Sequence, residues 1–401
     1  MNNPGLSLAR ENAASELVSH CRHGTSFFAS PTRTLLAQGA DATLHAVADG
    51  DLSARAATLL SAVRRDGWTS PLLIGAVPFR HDGRAHLMVP SRLNVAAAMT
   101  AAPDRHTSAT PSARARPEVI RMAPTPDGYR GIVADAVAHI RARRMEKVVL
   151  SRSVTLDADI DVQSLVARLA QRNPTGYTYS IDLSGRAGEQ RTLVGASPEL
   201  LLAKNGASVY SNPLAGSVPR SSDPIEDQRR AQGLLRSAKD LHEHAVVADA
   251  VAERLRPYCR HLEVPLTPSV VATPTMWHLS SEIRGQLRDA HIPSLHLAMA
   301  LHPTPAVCGN PPDSARAFID EAEGFDRDLF TGLVGWCNAE GDGEWAVTIR
   351  CATVRQGEVT LYAGAGIVAG SDPALELAET TAKLRTMLGA MQLDAVLDGA
   401  A

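Results

Sequence analysis

The sequence predicts an α+β fold with largely antiparallel sheets. Strand-like and helix-like segments come in blocks instead of alternating strictly, and no fixed-period repeat runs through the 401 residues. A content of 44% hydrophobic and 21% charged residues is ordinary for a folded chain, and the length suits one large domain or two ordinary ones.

From the N-terminus, "DLSARAATLLSAVRRDG" reads as a helix, and "PLLIGAVPFRHDGRAHLMVPSR" as two strands about an Asp-Gly turn. Residues 100–128 are rich in Ala, Pro, Ser and Arg without periodicity, as expected of a mobile loop or linker. Residues 1–99 are then the N-terminal part of the same domain, and residues 129–395 its main body.

Past the linker, "GIVADAVAHIRARRM" is an amphipathic helix that feeds the strand "KVVLSRSVTL" and the helix "DVQSLVARLAQRN". Strands follow in "GYTYSIDLS", "RTLVGASPELLLAKNG" and "ASVYSNPLAG". One long helix is expected from about Pro224 to Arg256, since no proline interrupts it. A strand-rich run from Leu329 to Val368 leads into a last helix, "PALELAETTAKLRTML".

Composition narrows the function. A formal net charge of −3 supplies no basic field for nucleic acid, so the expected partner is a small molecule held by a few placed residues. Five scattered cysteines with no C-x-x-C pair read as reduced thiols. The first twenty residues lack a basic region followed by an apolar run, and no apolar stretch is long enough for a bilayer, so a soluble cytoplasmic protein is expected.

Two helices each offer a carboxylate pair at i, i+3: Asp240 and Glu243 in "KDLHEH", and Glu376 and Glu379 in the last helix, where Lys383 shares the face. An exposed i, i+4 pair accounts for Glu379 and Lys383 equally well. If the helices converge, an all-oxygen donor set suits Mg²⁺, which takes one or two carboxylates, several waters and an anionic group. His242 and His244 flank Glu243 without the i, i+4 spacing of a zinc helix, which leaves them ordinary polar or capping duty.

Glycine-rich "YAGAGIV" ends a strand, so its backbone could approach an anion closely or serve a tight turn. Arg350 stands among apolar residues in "VTIRCA", facing either a carboxylate or solvent. Lys147 opens "KVVLSRS" and Glu199 sits in "GASPELLL". A desolvated lysine loses its proton readily and a desolvated glutamate keeps it, which would make a general base and a general acid; both fit strand-edge charges as well.

These stretches, together with "FFASPTRTLL", "PLAGSVPR", "MWHLSSEIRG", "LHPTPAVCG" and "FDRDLFTGLVGW", resemble the chorismate-utilising enzymes that begin menaquinone, siderophore and tryptophan biosynthesis, and most closely the siderophore-pathway isochorismate synthases. The resemblance spans nearly the whole chain and implies the anthranilate synthase component I-like fold: a single large domain of two mostly antiparallel sheets packed face to face, helices outside. It makes residues 129–395 the chorismate-binding catalytic core. It implies a Mg²⁺ cofactor, with Glu243 and Glu379 as ligands and Asp240 and Glu376 as outer carboxylates. Lys147 would deprotonate water for attack at C2 of chorismate, and Glu199 would protonate the departing C4 hydroxyl. Arg350 and the backbone of Gly364 and Gly366 would hold the pyruvyl carboxylate. Lys383 would lie near a substrate carboxylate, Gly216 and Ser217 beside the C4 hydroxyl, and His278 facing the ring carboxylate.

Lysine at position 147 disfavours ammonia-using anthranilate synthases, and Ala215 disfavours aminodeoxychorismate synthases, which carry a nucleophilic lysine there. Apolar Val307 favours stopping at isochorismate; salicylate synthases, which go on to eliminate pyruvate, tend to have threonine and are the alternative. A non-catalytic chorismate-binding protein is the contrasting class, and its expected signature, loss of the base, the acid or a metal carboxylate, is absent. A monomer with a functional link to an isochorismatase is expected.

Overall fold

A computed structural model describes residues 14–66, 70–99, 117–184 and 189–396. Two large antiparallel sheets dominate. The ten-stranded sheet is built around Lys147–Asp157, which pairs with Glu358–Ile367 from Glu358↔Asp157 to Ile367↔Val148. Every residue of Lys147–Asp157 except Asp157 is buried, so both faces of this strand are covered. The nine-stranded sheet runs from Cys259–Glu263 at one edge, through Gly343–Val347 and Leu333–Asn338, to Ala42–Leu44 at the other. A third sheet of three strands comprises Leu214–Pro219, Met276–Ser280 and Ser269–Ala272.

The large sheets face each other across one apolar cluster. Phe28, Leu35, Tyr179 and Leu193 of the first interdigitate with Ile74, Val334, Trp336 and Ala346 of the second. Outer faces are closed by helices. Val162–Arg172 and Pro373–Met391 cover the ten-stranded sheet through Leu165, Leu169, Leu384 and Met387. Leu52–Arg65 and Ala238–Leu255 cover the nine-stranded one through Leu60, Val251 and Leu255. The layers are thus those the resemblance implies, and the expected helices and strands recur close to their predicted places.

Two expectations change. The helix expected from Pro224 to Arg256 is two helices, Pro224–Leu234 and Ala238–Leu255. Arg236 N–H folds back to the Gly233 carbonyl, and the Ser237 side chain accepts from Asp240 N–H to open the second helix, so a serine cap breaks the run where no proline does. The 100–128 segment lies outside the described residues up to residue 116, and its remainder forms a strand and the start of a helix. Glu118–Ala123 pairs with Lys147–Asp157, and Pro126–Arg141 is a helix whose Thr125 cap accepts from Gly128 N–H. Val119 and Met122 pack with the apolar residues under Val162–Arg172 and Pro373–Met391, which a reading based on Pro and Ser content overlooks.

A buried ion pair ties the wall of the central strand to the next segment. Arg327 donates to Glu323 from Nε at 2.7 Å, and from its other nitrogens to the carbonyls of Val307 (2.7 Å) and Val149 (2.8 Å). Replacing Arg327 with Met leaves the buried Glu323 without its cation, held only by Ser151, a loss of about 3–5 kcal/mol. Urea unfolding should show that drop for Arg327→Met; a change within about 0.5 kcal/mol would mean the pair stabilises nothing.

Candidate active site

Glu199 and Arg350 sit where the chain crosses between the large sheets. Arg191–Ser197 belongs to the ten-stranded sheet and Leu200–Asn205 to the nine-stranded one; Gly343–Val347 and Cys351–Arg355 make the reverse passage. The two crossings are bonded together: Ala196 N–H donates to the Arg350 carbonyl (3.0 Å), and Val347 N–H to the Glu199 carbonyl (3.1 Å). Arg350 is therefore in a bend and not on a strand, with φ of 50°, a left-handed conformation uncommon for a non-glycine residue.

Burial sets the state of these groups. Glu199 is 3% exposed, and desolvation pushes its carboxyl up to about 7, against the Leu214 backbone N–H and the charges of Lys147, Arg350 and Lys383. Burial also lowers Arg350 to about 10, which leaves it cationic at neutral pH. Among the described residues Arg350 forms no ion pair; its guanidinium meets His278, Nη2 to Nε2 at 3.5 Å. Burial, and then the charges of Arg350 and Lys383, hold His278 well below its usual value, so the imidazole is neutral. An unpaired buried guanidinium of this kind suits an incoming carboxylate.

The two acidic helices do converge. Glu243 and Glu379 line the same cleft, of about 640 Å³, as Glu199, Arg350 and Lys383. Gly216, Ser217, His278, Val307, Gly364 and Gly366 complete the predicted lining. Lys147, Asp240 and Glu376 stand behind it. Lys147 is fully buried with Nζ 3.1 Å from Glu243 Oε1, and Glu376, 1% exposed, pairs through Oε1 with Lys239 Nζ at 2.6 Å. Asp240 is half-buried under Gly216, whose φ of +73° admits no ordinary side chain without strain.

Glu379 is the most heavily bonded of the carboxylates. Its Oε1 lies 2.5 Å from Lys383 Nζ and accepts from Ser217 Oγ at 2.9 Å, while Lys383 also donates to the Gly364 carbonyl at 2.8 Å. Burial raises its carboxyl, but the Lys383 charge and hydrogen bond, with Lys239 and Ser217, more than offset this and hold it low. Burial and the nearby Glu379 raise Glu376.

No group of three or more His, Cys, Asp or Glu residues comes together as a metal centre among the described residues. Mg²⁺ needs only one or two carboxylates beside water and an anionic substrate. Glu243 and Glu379, all-oxygen donors on two helices that meet in one cleft, fit that requirement. His242 is exposed, 3.5 Å from Glu146, and His244 is buried against Ala215 and Ser281, so neither histidine joins the carboxylates.

Several lining residues escaped the sequence reading. Phe330 and Tyr362 stack with centroids 5.1 Å apart, and Thr331, Ile349 and Val149 also line the cleft. Gly366 also has a role that its motif did not suggest. A Cβ there would lie 2.2 Å from Glu243 Oε1 and 3.0 Å from Lys147 Cε, so the glycine makes room for both side chains. Gly366→Ala is expected to cost about 1–3 kcal/mol through overpacking, read as a lowered unfolding midpoint; an unchanged midpoint would refute this packing.

The family model described as "Chorismate binding enzyme" matches residues 85–392. Isochorismate synthase DhbC of Bacillus subtilis (strain 168) is 50% identical over 393 residues, 96% of this chain and 98% of that protein. The vibriobactin-specific isochorismate synthase of Vibrio cholerae is 42% identical over 92% of this chain and 91% of its own. Among solved structures, DhbC from Bacillus anthracis, a candidate 2,3-dihydroxybenzoate-specific isochorismate synthase, superposes with a TM-score of 0.88 at 44% identity, covering 95% of this chain and 99% of that one. Anthranilate synthase component I of Streptococcus pneumoniae TIGR4, 22% identical with a TM-score of 0.64 over 79% of this chain and 80% of that one, shares the fold. On this match, and on the site that the two sheets and two helices build, the chain belongs to the chorismate-binding enzyme family.

Proposed function

We propose that this protein is an isochorismate synthase, adding water at C2 of chorismate with loss of the C4 hydroxyl, in the formation of 2,3-dihydroxybenzoate for a catechol siderophore. One observation carries the reading: a carboxyl raised to about 7 by burial shares a cleft with an unpaired arginine, a lysine and two convergent carboxylates. That is an acid that keeps its proton up to near neutral pH, beside charges suited to a dianion. The isochorismate synthases of Bacillus subtilis and Vibrio cholerae share nearly the full length of the chain and support the same reaction.

In this reading Glu243 and Glu379 hold Mg²⁺, with Asp240 and Glu376 contributing through water. The bound ion would offset the charge of the ring carboxylate. Arg350, with the backbone of Gly364 and Gly366, receives the pyruvyl carboxylate, and Lys383 adds positive charge beside it. His278, held neutral, faces the ring carboxylate as a hydrogen-bonding group. Lys147, ordered against Glu243, takes a proton from water as its oxygen bonds to C2. Both ring double bonds shift, C1=C2 to C1=C6 and C5=C6 to C4=C5, the C4–O bond breaks, and Glu199 gives its proton to the departing hydroxyl, which leaves as water beside Gly216 and Ser217. One water enters and one leaves, as an isomerisation requires. Acid and base catalysis of this type contributes about 10²–10⁴-fold each.

Val307, 3% exposed on the cleft wall, offers no hydroxyl there, consistent with isochorismate as the final product instead of salicylate and pyruvate. The reading includes residues 129–395 as the catalytic core and a cytoplasmic monomer passing its product to an isochorismatase. No described helix is long and apolar enough to cross a membrane.

Product analysis tests the proposal. Purified protein with chorismate and Mg²⁺ should yield isochorismate alone by chromatography, with neither salicylate fluorescence nor pyruvate, and Lys147→Ala should bind chorismate without turning it over. Stoichiometric salicylate and pyruvate would make it a lyase, and unchanged chorismate would leave a binding protein.

A further inference from the structure

His244 follows Glu243 on Ala238–Leu255, and neighbouring side chains on a helix diverge by about 100°. Glu243 lines the cleft, whereas the His244 ring, 2% exposed, is buried between two strands of the small sheet. Its Nδ1 lies 3.2 Å from the Ala215 carbonyl and its Nε2 2.8 Å from Ser281 Oγ. A carbonyl can only accept, so Nδ1 carries the hydrogen; in a neutral ring Nε2 then accepts from the serine hydroxyl.

Both partners occupy critical places. Ala215 pairs with Leu279 and Ser217 with His278, so Gly216 is an extra residue in its strand, a bulge beside the cleft. His244 supplies a donor at the start of that bulge, where the ladder is interrupted. Beyond the bulge, Ser217 Oγ donates to Glu379 Oε1 at 2.9 Å. A continuous path therefore runs from the helix bearing Glu243, through His244 and residues 215–217, to the helix bearing Glu379. Ser281, just past Met276–Ser280, ties the strand carrying His278 to the same ring.

We propose that His244 is a positioning residue: by holding the bulge at Ala215–Ser217 it sets the spacing of Glu243 and Glu379 for a divalent cation. This rests on the assignment of those two carboxylates made above. Groups that orient metal ligands from behind typically change metal affinity by about 10–100-fold when removed.

Mn²⁺ is the probe, its binding to the purified, substrate-free protein read by electron paramagnetic resonance. His244→Leu, which removes both bonds, should weaken Mn²⁺ binding by about 10–100-fold. His244→Asn, whose amide can still donate to Ala215, should recover most of the loss. Ser217→Ala, which breaks the far end of the path, should weaken binding as well, and decides the matter if His244→Leu does not fold. Unchanged affinity in His244→Leu or Ser217→Ala would overturn the proposal, as would equal losses in the Leu and Asn variants. If the unaltered protein bound no Mn²⁺ yet still made isochorismate, the carboxylate assignment itself would fail, and the positioning role with it.

Discussion

Two ionisable groups buried at the seam of the sheets are the constraint on which the rest of this structure depends. Glu199 and Arg350 occupy the two points where the chain passes from one large sheet to the other, and their backbones are bonded to the opposite crossing. A carboxylate or guanidinium taken out of water costs several kcal/mol unless it is neutralised or paired. Glu199 meets that cost by holding its proton. Arg350 stays cationic without an ion-pair partner among the described residues, which leaves the cleft short of one anion.

Around this seam the lysines are each set against a carboxylate. Lys147 faces Glu243, Lys383 faces Glu379 and Lys239 faces Glu376, each lysine on a different element from its partner except the i, i+4 pair of the last helix. A dianionic substrate and a divalent cation would enter such a site with little change in net charge. The sheets supply rigid edges, the two helices supply carboxylates, and small residues at 216, 364 and 366 keep the space between them open.

Much of this was legible in the sequence because it is local. The charged line of Glu376, Glu379 and Lys383 follows from helical periodicity, and the structure opens that helix at Pro373 behind the Asp372 cap. The site residues were legible chiefly as motifs; the order in which sheets bring them together was not. Arg350 reads as a strand residue because its neighbours are β-branched or apolar, and only the paired crossing shows it to be a bend. Glu199's raised carboxyl comes from burial between elements distant in the chain, which no spacing encodes. The break at Ser237 and the strand at Glu118–Ala123 were missed for the opposite reason: weak local signals were decided by a cap and by packing on the central strand.

The central claim, that the seam holds Glu199 as a protonated acid, can be tested directly by infrared difference spectroscopy of the protein against Glu199→Gln. A protonated carboxyl band assigned to Glu199 should be present at acid pH and fade as the pH rises through about 7. A Glu199 already ionised at pH values near those of an ordinary exposed glutamate would contradict the account.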